Sequence, residues 1–171
     1  MKKFLLLVGK SGAGKDSVAS ELVARYGVKQ LQSYTTRPKR SPEENCHIFV
    51  KCLPNEKMVA YTKFNGFEYC ATERQVDEND VYIVDPDGVL YFMEQYHGDK
   101  DPVVVYLNVG WFTRFVRMMK RGDGFAASAK RIIHDSRKFR GIKKIGNVYY
   151  VKNKHISVCV SRIAEIFGLE E

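Results

Sequence analysis

Long apolar stretches are missing from this chain. The longest aliphatic-aromatic run is FLLLV, residues 4–8, far short of the ~20 residues a membrane-spanning helix needs. It follows only Met1-Lys2-Lys3 and runs into Gly9-Lys10-Ser11, so it lacks the longer apolar region of a secretion signal. Cysteine is sparse too: Cys46, Cys52, Cys70 and Cys159 show no C-x-x-C spacing, which argues against a structural zinc or a redox pair. Scattered thiols in a chain able to bury its own core point to a reducing, cytoplasmic setting. No repeat, low-complexity tract or linker divides the 171 residues, and a length near that of one domain predicts one. Acidic residues are the minority, 20 against 28 Lys and Arg, for a net charge of +8. The surplus is local. Between Arg114 and Lys144 eleven basic residues face only Asp123 and Asp135. The remainder of the chain is close to neutral, unlike a globally basic nucleic-acid binder. Part of the block, residues 131–144, can serve as a solvated helix face; the block as a whole points to a polyanionic ligand.

What is present is a hydrophobic fraction of 44% with ten Phe and ten Tyr, which excludes intrinsic disorder. Buried strands are expected at Phe4–Val8, Val28–Tyr34, Val81–Asp85, Val103–Asn108 and Val148–Val151. Helices are expected from Lys15 to Tyr26, over 87–95, from Trp111 to about Lys120, from Ala126 to about Arg140 and from Ile156 to Phe167. Residues 46–72 hold short β-prone pieces, with Asn65-Gly66 as a hairpin turn. Strands alternating with helices predict a parallel sheet with right-handed crossovers, here with two inserted flaps.

Gly9-Lys10-Ser11-Gly12-Ala13-Gly14-Lys15 is the phosphate-loop signature in its required place, after a strand and opening a helix. Glycines let successive N–H groups curl inward towards phosphate oxygens. The helix N-terminus adds partial positive charge, and Lys15 reaches the outer phosphates. The motif usually ends in Ser or Thr, whose hydroxyl ligates magnesium; Asp16 stands there instead, and a carboxylate is a hard oxygen ligand suited to Mg²⁺. Ser17 falls one residue late and is expected to face elsewhere on the helix.

Two further cationic groups face this loop in the expected fold. Arg37 and Arg40, in a proline-broken loop, have the spacing to clamp a single phosphate. Arg117, Arg121 and Arg131 flank a Gly-broken hinge, as a closing lid requires. Phosphoryl transfer asks for positioning and charge neutralisation rather than a protein nucleophile, in keeping with the lack of a plausible Ser-His-Asp or Cys-His set.

The segment Ser33-Tyr34-Thr35-Thr36-Arg37-x-x-Arg40-x-x-Glu43 resembles the guanylate-binding segment of the guanylate kinase family. The likeness continues through His47-Ile48-Phe49, Asn65–Tyr69, Ile83-Val84-Asp85-Pro86-Asp87, the lid arginines and Tyr150-Val151-Lys152-Asn153. It implies a three-layer α/β phosphate-loop NTPase domain with a core at 1–34 and 81–171. A small antiparallel monophosphate-binding lobe would occupy 35–80, and a helical lid about 117–135. It also implies ATP and a nucleoside monophosphate as substrates, with Mg²⁺ as the cofactor. Residues 9–17, namely Gly9, Lys10, Ser11, Gly12, Ala13, Gly14, Lys15, Asp16 and Ser17, would hold ATP. Ser33, Arg37, Arg40, Glu43, His47, Tyr69 and Asp87 would hold the monophosphate, and Asp16 and Asp85 the metal. Asp85 and Asp87 follow a strand's C-terminal end, where open α/β sheets bind ligands; a plain turn is the alternative.

The family reads guanine with a Glu before the hairpin turn and a Ser or Thr after it. Ala60 and Ala71 occupy those positions here, so two polar contacts are missing, although Thr72 and Asp87 offer partial substitutes. GMP or dGMP remains the leading acceptor, with weakened base selectivity. Two other functions compete: a guanylate-kinase-like binding module without catalysis, and a nucleic-acid binder. The retained loop glycines and Lys15 speak against the first. The near-neutral remainder of the chain speaks against the second.

Overall fold

The computed structural model describes residues 2–39, 41–64 and 66–169. Arg40 and Asn65 lie outside that set.

β1 (Lys3–Gly9) occupies the middle of a five-stranded sheet in the order β2-β7-β1-β8-β9, every pairing parallel. Its partners are β2 (Gln30–Leu31), β7 (Val81–Ile83), β8 (Asp101–Asn108) and β9 (Val148–Lys152). Successive side chains of β1 point to opposite faces. Phe4, Leu6 and Val8 enter one core with Val89, Phe92, Phe139 and Ile142, and the Phe4 ring stacks on Phe92 with centroids 5.6 Å apart. Leu5 and Leu7 enter the other, with Val18 and Leu22 of α1 (Lys15–Tyr26) and Val160 and Ile163 of α6 (Ile156–Phe167). The β1 run is therefore apolar throughout because both of its faces are covered. The result is a layered α/β domain whose strands all end at one edge.

The expected strand over 28–34 splits. Gln30–Leu31 joins the main sheet, and β3 (Tyr34–Thr35) crosses into a second sheet with order β4-β3-β6-β5. That sheet contains β4 (Ile48–Phe49) and the hairpin β5 (Met58–Phe64) to β6 (Phe67–Thr72). It is mixed rather than antiparallel, because β4 runs parallel to β3. Val59, Ala60 and Ala71 root it in the core that contains Phe4 and Leu6. A short helix, α2 (Glu73–Glu78), follows β6. Thr72 caps it, and the Thr72 and Gln75 side chains exchange hydrogen bonds with each other's backbone N–H.

α3 (Pro86–Gln95) starts with Pro at its first turn and Asp85 as its cap. α4 (Trp111–Lys120) and α5 (Phe125–Lys138) are separated by Arg121–Gly124, as expected. α5 ends earlier than anticipated, and residues Phe139–Lys144 form a 3₁₀ segment that sends Phe139, Ile142 and Ile145 into the core.

Leu6 has no solvent exposure and sits at the centre of the sheet. Leu6→Ala is expected to cost about 2–5 kcal/mol, a large part of a typical total of about 5–15 kcal/mol. Urea unfolding should show a lower midpoint at unchanged slope.

Candidate functional site

The phosphate-loop segment joins β1 to α1 at the edge where the strands end. Gly12 and Gly14 have φ of +75° and +88°, a region open to glycine at little cost. Space forbids a side chain at both. A Cβ would lie 2.7 Å from the Arg114 carbonyl oxygen at Gly12 and 2.8 Å from Asn153 Nδ2 at Gly14. The Ala13 N–H closes a turn on the Lys10 carbonyl at 3.0 Å. Lys15 Nζ donates to the Gly9 carbonyl at 2.7 Å, reaching back over the loop. Burial pushes the Lys15 ammonium below its usual value, against the pull of Asp16 and Asp135. Burial likewise lowers Lys10, with Arg114 adding to the effect.

The loop carbonyls are held from behind. Asn153 Nδ2 donates to the Ala13 carbonyl at 2.8 Å. Arg117 Nη1 lies 3.4 and 3.3 Å from the Gly12 and Ala13 carbonyls, and its Nη2 donates to the Asn153 carbonyl at 3.0 Å. Arg117, expected among the lid cations, thus braces the loop. Arg121 and Arg131 converge on Asp123. Arg121 Nε donates to Asp123 Oδ1 at 3.0 Å, and Arg131 Nη1 to Oδ2 at 3.2 Å. Hydrogen bonds from Arg121 hold the Asp123 carboxyl below the usual carboxylate range.

These groups line a cleft of about 390 Å³ that includes Gly12, Gly14, Lys15, Arg117, Arg121 and Arg131. The exposed Asp16 is at its rim. Ser17, expected to face elsewhere, lines the same cleft. A second cleft of about 350 Å³ shares Ser11, Lys15 and Arg131 with the first and is bounded by Tyr69, Asp85, Asp135 and Lys138. It shares Thr62, Tyr69, Ile83, Val84 and Asp85 with a smaller cavity of about 130 Å³ that adds Ser33, His47, Tyr61 and Tyr82.

Ser33 Oγ and His47 Nδ1 are 2.9 Å apart, and the His47 ring meets Tyr69 edge-on with centroids 5.5 Å apart. Arg37 is 8% exposed. Its guanidinium lies over Phe49 and forks onto Glu44, with Nη2 to Oε1 at 2.7 Å and Nη1 to Oε2 at 3.2 Å. Hydrogen bonding to Glu44 raises its already high pKa. The expected acid at this point, Glu43, is exposed; the neighbouring Glu44 takes the arginine. Arg40 lies outside the described residues. Asp85 uses Oδ1 to accept from the Gly88 N–H at 2.8 Å and Oδ2 to pair with Lys138 Nζ at 2.6 Å. The metal position expected of Asp85 is thus taken by a helix cap and an ion pair. Asp87 is exposed, 3.9 Å from Lys138 Nζ. Among the described residues no group of three or more His, Cys, Asp and Glu side chains stands ready to cage a metal ion.

Sequence reasoning left out Glu44, Asp123, Asp135, Lys138 and Arg114. Only the acid-poor stretch 114–144 carried a hint, since its two carboxylates are the ones that pair with its arginines.

The parallel sheet, the glycine loop opening α1 and the six helices among the described residues are consistent with a phosphate-loop-kinase-like fold. Among solved structures, the chain is similar to the guanylate kinase from Anaplasma phagocytophilum. The TM-score is 0.59 at 18% identity, over 98% of this chain and 85% of that one. At this identity the likeness is one of fold. No protein-family model and no curated protein matches the chain. Among the described residues no helix is long and apolar enough to cross a membrane.

Arg37 and Glu44 are both largely buried, so removing the acid strands a cation. Glu44→Gln is expected to lower stability by about 1–3 kcal/mol, whereas Glu43→Gln at the exposed neighbour should stay within about 0.5 kcal/mol. Chemical denaturation of the two variants compares them directly; equal losses would return the role to Glu43.

Proposed function

We propose that the chain is a nucleoside monophosphate kinase that moves the γ-phosphoryl group of ATP onto a nucleoside monophosphate, with GMP or dGMP as the leading acceptor. The observation that carries this is the pair of clefts meeting at Lys15 and Arg131. In-line transfer between two phosphates needs two anion sites with a shared cation between them. The fold-level likeness to a guanylate kinase supports it.

In this reading Lys15 and the backbone of residues 9–17, apart from the Ser11 and Ala13 N–H groups that already have acceptors, hold the ATP phosphates. Arg121 and Arg131, kept together by Asp123, neutralise charge that spreads in the transition state, while Arg117 keeps the loop in shape. Ser33, His47 and Tyr69 receive the acceptor phosphate, with positive charge from Arg37 and Arg40. Residues 35–80 act as the acceptor lobe and 117–135 as the lid. Asp16, an exposed carboxylate at the rim of the donor cleft, suits magnesium, which is commonly held by one or two carboxylates together with substrate phosphates. When bound, the ion would neutralise charge on the donor's phosphates.

One observation favours a loosened base choice. Ala60 and Ala71 pair across the hairpin and are 1% and 0% exposed, both in the apolar core. The polar groups that would read guanine are absent from those positions. A site without such groups discriminates far less than one that hydrogen-bonds its substrate.

The decisive test is ADP release from ATP-Mg²⁺ with a panel of ribo- and deoxyribonucleoside monophosphates. Turnover is expected, strongest with GMP or dGMP and measurable with a second base. No turnover with any acceptor would overturn the reading in favour of a binding module. Lys15→Ala should lower kcat by about a hundredfold or more while the melting temperature holds.

A separate titration addresses the metal. Asp16→Ala is expected to raise the Mg²⁺ concentration needed for half-maximal rate, and Asp16→Ser to recover part of the loss. An unchanged titration in the alanine variant would reduce Asp16 to a first-turn acid that favours the helix.

A further inference from the structure

A carboxylate sits on the phosphate loop. Asp135, on α5, accepts a hydrogen bond at 2.7 Å from the backbone N–H of Ser11 through Oδ2. On its own this is an odd partner, because an anion beside a loop built for phosphate repels the ligand. Arg114, on α4, removes the difficulty. Its Nη1 lies 3.3 Å from the same Oδ2 and 3.4 Å from the Ser11 carbonyl, so acid and arginine form a neutral pair around the backbone of one residue. The two side chains are 4% and 8% exposed. Arg114 Nε is buried with no hydrogen-bond partner among the described residues. A buried pair with a stranded N–H is a poor way to gain stability, since apolar residues of similar volume commonly do as well. The geometry points elsewhere: the Arg114 carbonyl is the atom against which Gly12 has no room for a Cβ.

We infer that Asp135, backed by Arg114, is a positioning residue for the donor site, holding Ser11 and thereby the outer turn of the phosphate loop in shape for a triphosphate. The inference rests on the reading of this loop as the ATP site. The face of α5 explains why the residue is placed there. Arg131, Asp135 and Lys138 are spaced four and three apart and share one stripe of the helix. Arg131 lines the donor cleft, Asp135 holds the loop, and Lys138 pairs with Asp85 beside the acceptor cavity. One rigid helix thus sets the loop's place relative to both substrates.

The test removes the charge pair while keeping or deleting the acceptor oxygen. Arg114→Met with Asp135→Asn leaves an amide oxygen for the Ser11 N–H; Arg114→Met with Asp135→Leu does not. ATP binding should weaken by about tenfold or more in the Leu variant and far less in the Asn variant, with the acceptor KM within about twofold in both. Equal ATP affinity in the two double variants would overturn the inference, as would parallel losses for ATP and acceptor. Amide hydrogen exchange at Ser11 gives a readout that needs no nucleotide. The amide should be protected in the unaltered protein and in the Asn variant, and exposed in the Leu variant. An unprotected Ser11 in the unaltered protein overturns the inference even where a variant fails to fold. If the unaltered protein binds no ATP, the kinase reading falls, and the donor-site role with it. The exchange result then still decides whether Asp135 holds the loop.

Discussion

A loop that turns its N–H groups towards a ligand must turn its carbonyl groups the other way, into the protein, where water is scarce. Each carbonyl left alone there costs free energy comparable to a lost hydrogen bond. The loop between β1 and α1 meets this constraint with side chains from distant parts of the chain. Asn153 and Arg117 serve Gly12 and Ala13, and Arg114 stands by Ser11. Much else follows from it. Asn153 comes after the edge strand β9 and the two arginines come from α4, so the loop keeps its shape only when β8, α4 and β9 are all in place. Gly12 and Gly14 are fixed by the same contacts, because the atoms that satisfy and pack the loop leave no space for a Cβ.

Concentrating cations around one cleft carries its own cost, and the structure offsets it with single carboxylates placed among them. Asp123 takes Arg121 and Arg131, Asp135 takes Arg114, Glu44 takes Arg37, and Asp85 takes Lys138. The exposed arginines among them, Arg121 and Arg131, contribute little to stability through such pairs. Their value lies in orientation: a guanidinium already held by a carboxylate has fewer rotamers to lose when an anion arrives. Lys15 hydrogen-bonds to the backbone carbonyl of Gly9 rather than to a carboxylate, a neutral partner that a phosphate oxygen can replace without stranding an acid.

Local signals in the sequence were faithful. The apolar run at 4–8, the glycine spacing at 9–14, the strand pair within 58–72 and the helix break at 121–124 each became the element their chemistry predicts. Where reading failed, the cause was non-local or a matter of one residue. The strand over 28–34 divides because its two ends serve different sheets, which no short window reveals. α2 was missed although Thr72 and Gln75 spell its capping box, since six residues carry too little periodicity to stand out. Glu43 fits the spacing of a resembling motif, but Phe49 and Pro38 fix Arg37 so that its fork meets Glu44. Asp135 and Ser11 are 124 positions apart, and only the packing of α5 across the sheet edge brings them together.

In the proposed kinase, the acceptor side is where fold and specificity separate. The cavity beyond Tyr69 is lined by Ala60 together with Tyr61, Thr62 and Tyr82, and Ala71 pairs with Ala60 in the core. Tyr61 is already committed, its hydroxyl donating to Glu68 at 2.7 Å, and burial raises the Tyr82 hydroxyl well beyond its ordinary range so that it stays protonated. What this wall offers a base is aromatic surface and neutral hydroxyls. Stacking of that kind is tolerant of sequence because every base has a π-face. Ala60 lines this cavity and is 1% exposed, so a carboxylate added there would enter a nearly buried site, costly unless a base or another group pairs with it. Under the kinase reading, the positions at which a polar group would meet the base are those that line the cavity, Ala60 and Thr62 among them.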